Sequence, residues 1–294
     1  MLFAGESNDF DYSLDHVVTE IEQESNQNGH LLLSELILLT DIIYQNQVYR
    51  GFYSSYTSDT DEHGMLYFIG SQGRNTIYRN PHTAGYIHAS MSSCYHGQAF
   101  NIVARTAEHA PNYTDNLDKS WIEVDFGPRR LILPDYYTIR HGAASRGNAL
   151  RNWVLQGKLN TTTNNNNTTG TVGTDGETKR LSLSDHNVSR SSIGSVAPPF
   201  RDDDDKGVDK TDKGWVTLQI HTEDDSLSDE PGSTASWPVD IPPDLMDTYD
   251  TIGFRALRVK MTGHNSGGNN CLFCCGLEFY GVLFEKVVYM ELDA

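Results

Sequence analysis

Residues 138–142, TIRHG, set a guanidinium beside an imidazole and a glycine. An imidazole nucleophile next to an anion-binding arginine is the minimal pair for phosphoryl transfer through a phosphohistidine. That chemistry also needs a second histidine, further arginines and an acid to protonate the leaving group. Here Arg140 and His141 follow at least three strand-like segments, and no amphipathic helices of an α/β sheet lie downstream. If the strand runs through YYTIRH, period two puts Tyr137, Ile139 and His141 on one face and Tyr136, Thr138 and Arg140 on the other. The expectation is therefore that His141 is the last core-side residue before a turn at Gly142, with Arg140 outward. A phosphatase using Arg140 and His141 is the third-ranked reading.

Two further groups have ligand spacing. SDTDEHG, 58–64, places Asp59, Asp61 and Gly64 as the opening of an EF-hand loop, but the twelfth position is Gly70, where a bidentate glutamate is required. The EF-hand reading fails; a looser calcium site at Asp59 and Asp61 stays open beside an acidic turn. Cys271-X-X-Cys274 is half of a zinc motif that Cys94-X-His96 would have to complete, and there is no second CxxC. CLFCCGLEFYG also alternates as a strand, so buried, structural thiols are the preferred reading. GHNSGGNN, 263–270, lacks the lysine and following helix of a phosphate loop and reads as a hairpin connection.

The segments that must position these groups are short, aromatic and β-branched, and bounded by Gly, Pro, Asn and Asp: MLYFIG, FNIVAR, WIEVDFG, YYTIRHG, RNWVLQG, WVTLQIH, FRALRVKM and LEFYGVLF. Val216, Leu218 and Ile220 oppose Thr217, Gln219 and His221, and Leu257, Val259 and Met261 oppose Arg258 and Lys260, which fits antiparallel sheets with one wet face. Two such sheets bury their apolar faces against each other, so the expected fold is an all-β antiparallel sandwich over 51–290. Residues 1–50 form an N-terminal extension, partly helical, because Leu32, Leu36, Leu39 and Ile43 recur at helical intervals. Residues 159–213, rich in Asn, Thr and Asp, carry too little apolar surface to fold and are expected to be a disordered insertion.

Forty acidic against 22 basic residues give a formal charge of -18. Such a field disfavours nucleic acid and anionic membrane as partners. The N-terminus has no basic segment leading into an apolar run and no window reaches the length of a membrane span, so a cytoplasmic chain with reduced thiols is expected.

The order of the pieces carries a resemblance. SWIEVDFGPRRLILPDYYTIRHG, ALRNWVLQGK, KGWVTLQIHTEDDSL, ASWPVD, FRALRVKMTGHNS and CLFCCGLEFYGVLFE follow one another as in the discoidin, or coagulation factor 5/8 type C, class of galactose-binding-like β-sandwiches. Trp121, Val124, Asp125, Gly127, Trp153, Trp215, Arg255, Arg258, Glu278 and Gly281 stand at the class's motif positions. With YTSDTDEHGMLYFIGS and YRNP ahead of it, the chain resembles the intracellular branch found in BTB/BACK proteins and some HECT-type ubiquitin ligases. The insertion replaces that class's tight turn between Trp153 and Trp215.

The resemblance implies a non-catalytic binding module. Its partner would be a protein, from ubiquitin-ligase machinery or one of its substrates; the alternative is a carbohydrate-binding module with a structural calcium at Asp59 and Asp61. By topology the candidate contact residues are Tyr56, Asp59 and Asp61 in the first loop, Arg79, Asn80 and His82 in YRNPH, Arg146 after RHGAAS, and His264 and Asn265 in GHNSGG. Trp121, Trp153 and Trp215 are read as core or core-edge residues rather than ligand platforms.

Overall fold

The computed structural model describes residues 37–106, 111–160 and 212–288. Ten strands form two antiparallel five-stranded sheets. In chain order they are β1 (Ile37–Tyr44), β2 (Gln47–Ser54), β3 (His88–Met91), β4 (Trp121–Asp125), β5 (Arg130–Arg140), β6 (Trp153–Lys158), β7 (Trp215–His221), β8 (Thr234–Pro238), β9 (Ala256–Met261) and β10 (Gly276–Lys286). One sheet runs β1-β2-β10-β5-β8 and the other β3-β4-β9-β6-β7. Two short α-helices, α1 (Met65–Gly70) and α2 (Pro243–Thr248), and a 3-10 turn at Ala99–Val103 complete the described elements.

The period-two pattern decides the layers. Ile122 and Val124 of β4, Leu257, Val259 and Met261 of β9, and Trp153 and Leu155 of β6 are buried, as are Tyr137 and Ile139 of β5 and Leu277 and Phe279 of β10. They join one hydrophobic core between the sheets, the expected sandwich.

Three sequence expectations are corrected. The helical reading of the N-terminal segment fails where it is described: Ile37–Tyr44 is a strand paired with β2. Gln45 and Asn46, at φ 47° and 58°, make the tight turn whose twist suits a two-residue hairpin. The rest of 1–36 lies outside the described residues, as does most of the 159–213 insertion. MLYFIG is helix α1, and FNIVAR holds the 3-10 turn, not strands; short apolar runs carry no period that separates the two.

The connections β5–β6 (141–152), β7–β8 (222–233) and β9–β10 (262–275) all cross between the sheets at one end, reached also by residues 95–97 and 112–114 between β3 and β4. The β6–β7 connection opens at the other end, and Leu159 N–H to the Gly214 carbonyl, 3.0 Å, closes its stem.

At the β5–β10 bulge, Tyr280 faces Tyr136 while Gly281 faces Pro134, leaving Asp135 extra. Gly281 has φ 119°, and a Cβ there would come within 2.3 Å of the Leu133 carbonyl oxygen. Gly85 also has positive φ (75°) but open space around it. Gly281→Ala is therefore expected to lower unfolding stability by roughly 3 kcal/mol and Gly85→Ala by about 1 kcal/mol, read from urea unfolding midpoints. Equal losses would show that backbone strain alone governs both sites.

Candidate functional site

The end of β5 settles TIRHG. His141 is fully buried, its Nε2 2.9 Å from the Gly147 carbonyl. Burial pushes the imidazole below its ordinary pKa, against the backbone bond to Gly147. Gly142 is required for space: a Cβ would lie 2.7 Å from both the Asn112 carbonyl oxygen and the Cys274 backbone. Arg140, expected to face solvent, is instead buried under the 55–64 loop, with Nη2 donating to Thr60 Oγ1 at 3.0 Å. Imidazole and guanidinium thus point into different surroundings, and both are taken up by the fold.

The first loop is tied down by its own carboxylates. Asp59 accepts from Tyr56 Oη (2.7 Å), Thr234 Oγ1 (2.7 Å) and Ser236 Oγ (2.5 Å), so it clamps the loop to β8. Tyr56 stacks on Tyr136 at 4.2 Å and meets Tyr280 edge-on. Asp61 accepts from the backbone N–H of Thr57 and Ser58, both 3.1 Å, and of His63, 2.8 Å, and from the Thr57 hydroxyl. Burial raises both carboxyls, but these donors outweigh it and hold them below the usual range. Oxygens already holding protein donors do not fit calcium, and no cluster of three or more metal-ligating side chains occurs among the described residues.

The remaining candidates do not form one site. Arg79 is exposed, while Asn80 caps its own turn through His82 N–H and Thr83 N–H and donates to the Phe100 carbonyl. His82 Nδ1 accepts from Ala89 N–H at 2.9 Å, beside β3. Burial, then the neighbouring His88, lowers its pKa. This trio flanks the start of β3, away from the crossover loops. Arg146, exposed and ion-paired with Glu230, and His264, exposed, do lie on those loops. Asn265 is buried there, accepting from Gly267 N–H and donating to the Cys271 carbonyl. The thiols of Cys274 and Cys275 are buried and donate to the Gly276 and His141 carbonyls, and burial pushes both up.

Three groupings went unread in the sequence. The first is a buried polar chain: Trp153 Nε1 donates to Tyr137 Oη (2.9 Å), which lies 2.8 Å from His221 Nε2, while Asp224 Oδ2 is 2.7 Å from His221 Nδ1 and accepts from Trp237 Nε1 (3.0 Å). Trp153 and His221 stack at 4.0 Å. Burial lowers the His221 pKa although Asp224 opposes it. Every polar atom in the chain has a partner, so its effect is to fix the rotamers of a crowded core. The three-residue spacing of His221 and Asp224 was its one signal.

The second is Glu278, nearly inaccessible, whose carboxylate accepts from Leu66 N–H (2.7 Å) and Tyr67 N–H (3.2 Å) at the start of α1. Arg105 stands 3.5 Å away over the Tyr67 ring. The third is a stack of rings, Tyr95, Tyr113 and Phe273, on the crossover end.

The motif residues now have physical roles. Arg255 grips Asp125 through two bonds of 3.2 and 3.1 Å, tying the loop after β8 to β4, and Arg258 lies 4.2 Å over Trp215 while donating to Gln156. Trp153 is core, whereas Trp121 and Trp215 are half-buried at its edge. No family model matches the chain. It is 28% identical over 231 residues to the E3 ubiquitin-protein ligase Ufd4 of Drosophila melanogaster, covering 77% of this chain and 6% of the ligase. It is 25% identical over 236 residues to the ligase hecd-1 of Caenorhabditis elegans (79% and 7%), and 25% over 234 residues to a BTB/POZ domain-containing protein of Arabidopsis thaliana (77% and 22%). The chain thus spans a small part of each relative.

The chain is an all-β sandwich of two antiparallel five-stranded sheets. Solved structures that share part of its course include a Clostridium perfringens carbohydrate-binding module in complex with GalNAc-β-1,3-galactose, at 9% identity and TM-score 0.37 over 67% of this chain and 96% of that one. A striped bass serum fucolectin has 10% identity and TM-score 0.36 over 69% and 47%. The sandwich here is defined by its own sheets, and in sequence it is similar to segments of the two ligases and the BTB/POZ protein.

Burial pushes the Glu278 carboxyl up to about 7 from 4.5, even though Leu66 N–H and Arg105 oppose it. A raised carboxyl pKa stabilises the fold below the unfolded value, and that contribution is lost as pH rises through the folded one. Between pH 5 and 8 the wild type is expected to lose on the order of 2–3 kcal/mol relative to Glu278→Gln, measured by urea unfolding of both proteins at each pH. A difference independent of pH would mean that Glu278 is ionised throughout.

Proposed function

We propose that this domain is a non-catalytic recognition module whose ligand is another protein, acting within a ubiquitin-ligase or BTB-type assembly. The observation that carries the reading is the relation of 77–79% of the chain to segments of two E3 ubiquitin-protein ligases and a BTB/POZ domain-containing protein. The geometry supports it, because the residues that looked chemical are spent on holding loops: His141 on Gly147, Asp59 on β8 and Asp61 on its own turn. Loops held this firmly present a preorganised surface, which reduces the ordering cost of binding a macromolecule. Among the described residues no helix is long and apolar enough to cross a membrane.

A carbohydrate module stabilised by calcium is the competing reading, and the occupied oxygens of Asp59 and Asp61 weigh against its calcium. The test pairs a glycan array with direct binding of the full chain to purified cullin and ubiquitin-conjugating enzymes, each in calcium and in EDTA. Expected are saturable binding to one of these proteins, equal in both buffers, and an unfolding midpoint that calcium does not raise. Glycan binding that EDTA abolishes, with no protein bound, would overturn the proposal.

A further inference from the structure

The crossover end carries a feature that the core does not need. Tyr95 stacks on Tyr113 at 5.4 Å, Tyr113 stacks on Phe273 at 4.2 Å, and Phe273 packs toward His141 at 6.0 Å. The backbone fixes the rings: Tyr95 N–H and His96 N–H donate to the Tyr113 carbonyl, Tyr113 N–H returns to His96, and Tyr113 bridges Phe273. The inner ring of this ladder, half-buried Phe273, packs toward the buried His141, whereas Tyr95 is 69% exposed. An isolated surface tyrosine is ordinary, but a rigid three-ring stack presenting an open face is a preformed contact surface.

Its surroundings are acidic. Asp115 follows Tyr113 by two residues and helps burial hold the Cys271 thiol up, which places it beside the ladder. Asp118 is on the same stretch, and Glu223 and Asp225 are on the 222–233 loop, which bonds to the 141–152 and 262–275 loops through Asp229. These four carboxylates have no ion pair among the described residues, although Glu223 accepts from Asn152; against them stands exposed Lys119, also without an ion pair there, while the cations of the 141–152 loop, Arg146 and Arg151, are matched by Glu230 and Asp229. The chain's charge of -18 adds a long-range field of the same sign.

Resting on the protein-recognition reading above, we infer that the Tyr95–Tyr113–Phe273 ladder docks a lysine- or arginine-bearing segment of the partner. The cation lies over the outer ring, where the π-face attracts it, and the acidic rim steers it there. A neutral sugar would stack on the same ring but would gain nothing from the carboxylates.

The probes are fluorescent ten-residue peptides, one alternating lysine and arginine with glycine, one with glutamate in place of the cations and one of glycine and serine, titrated by anisotropy into the full chain. The basic peptide is expected to bind and the other two not. Tyr95→Ala should weaken it about fivefold to tenfold, whereas Tyr95→Phe, which keeps the ring, should stay within about twofold. Asp115→Asn with Asp118→Asn should weaken binding and flatten its salt dependence. Circular dichroism melts confirm that each variant is folded. Basic-peptide binding unchanged in Tyr95→Ala would overturn the inference, as diffuse charge attraction needs no ring. If no basic peptide binds while a cullin or ubiquitin-conjugating enzyme binds wild type and Tyr95→Ala alike, the inference falls and the protein-recognition reading stands. Glycan binding lost in Tyr95→Ala, with no protein bound, removes both.

Discussion

A carboxylate with almost no access to water, Glu278, ties helix α1 to the central strand of its sheet. β10 lies between β2 and β5, and the Glu278 side chain leaves it to meet the first free N–H groups of α1. Those groups have no cap of their own, because Gly64 has no side chain to offer. The absence is necessary: a Cβ on Gly64 would fall 2.0 Å from the Glu278 carboxyl carbon. A buried carboxylate alone would cost several kcal/mol in desolvation, and two backbone donors, the Arg105 guanidinium and the partial charge of the helix start offset that cost. Arg105 is in turn held over Tyr67 and Tyr78 and donates to the Asp61 carbonyl, so the first loop inherits its position from the same charge.

From there the constraint spreads over the sheet. With α1 seated, the 55–64 loop lies against β5 and β8, where Asp59 collects three hydroxyl donors and Arg140 is covered. The loop that looked like a cation site is thereby a clasp. At the crossover end the logic is the same with neutral groups: Asn112 accepts from Gln98 N–H, donates to the Cys274 carbonyl and, through its backbone, meets Gly142 and Cys274. Three connections pass so closely there that only glycine fits at 142.

The layers were legible in part because the period of a half-buried strand is a local property: Val216 and Leu218 of WVTLQIH and Leu257, Val259 and Met261 of FRALRVKM are buried as read, whereas Ile220 is exposed and His221, Arg258 and Lys260, read as facing water, are buried. The residue order also pointed to the discoidin class before any contact was known. What stayed hidden depends on distant partners. MLYFIG becomes a helix because Glu278, 212 residues from Leu66, satisfies its N-terminus, and ILLTDIIY becomes a strand because β2 pairs with it. Helical spacing of leucines cannot report either event. His82, Asn80 and Asn265 were chosen for their chemistry and for their loops, yet each is consumed by backbone groups within a few residues, a use that sequence alone does not separate from ligand contact.

The same distinction orders the polar groups of the whole molecule. Those whose hydrogen bonds close on the protein, such as His221 with Tyr137 and Asp224, act by excluding alternative packings. A binding surface must be built from what such closure leaves over. Among the described residues of the crossover end, what is left over includes the exposed face of Tyr95 and carboxylates without an ion pair. On the opposite end the chain instead opens between β6 and β7, where the stem bond from Leu159 to Gly214 lets the sheet persist whatever the length of the connection. Among the described elements, every crossover between the sheets from β5 to β10, apart from the β8–β9 return, is made at the end opposite that stem.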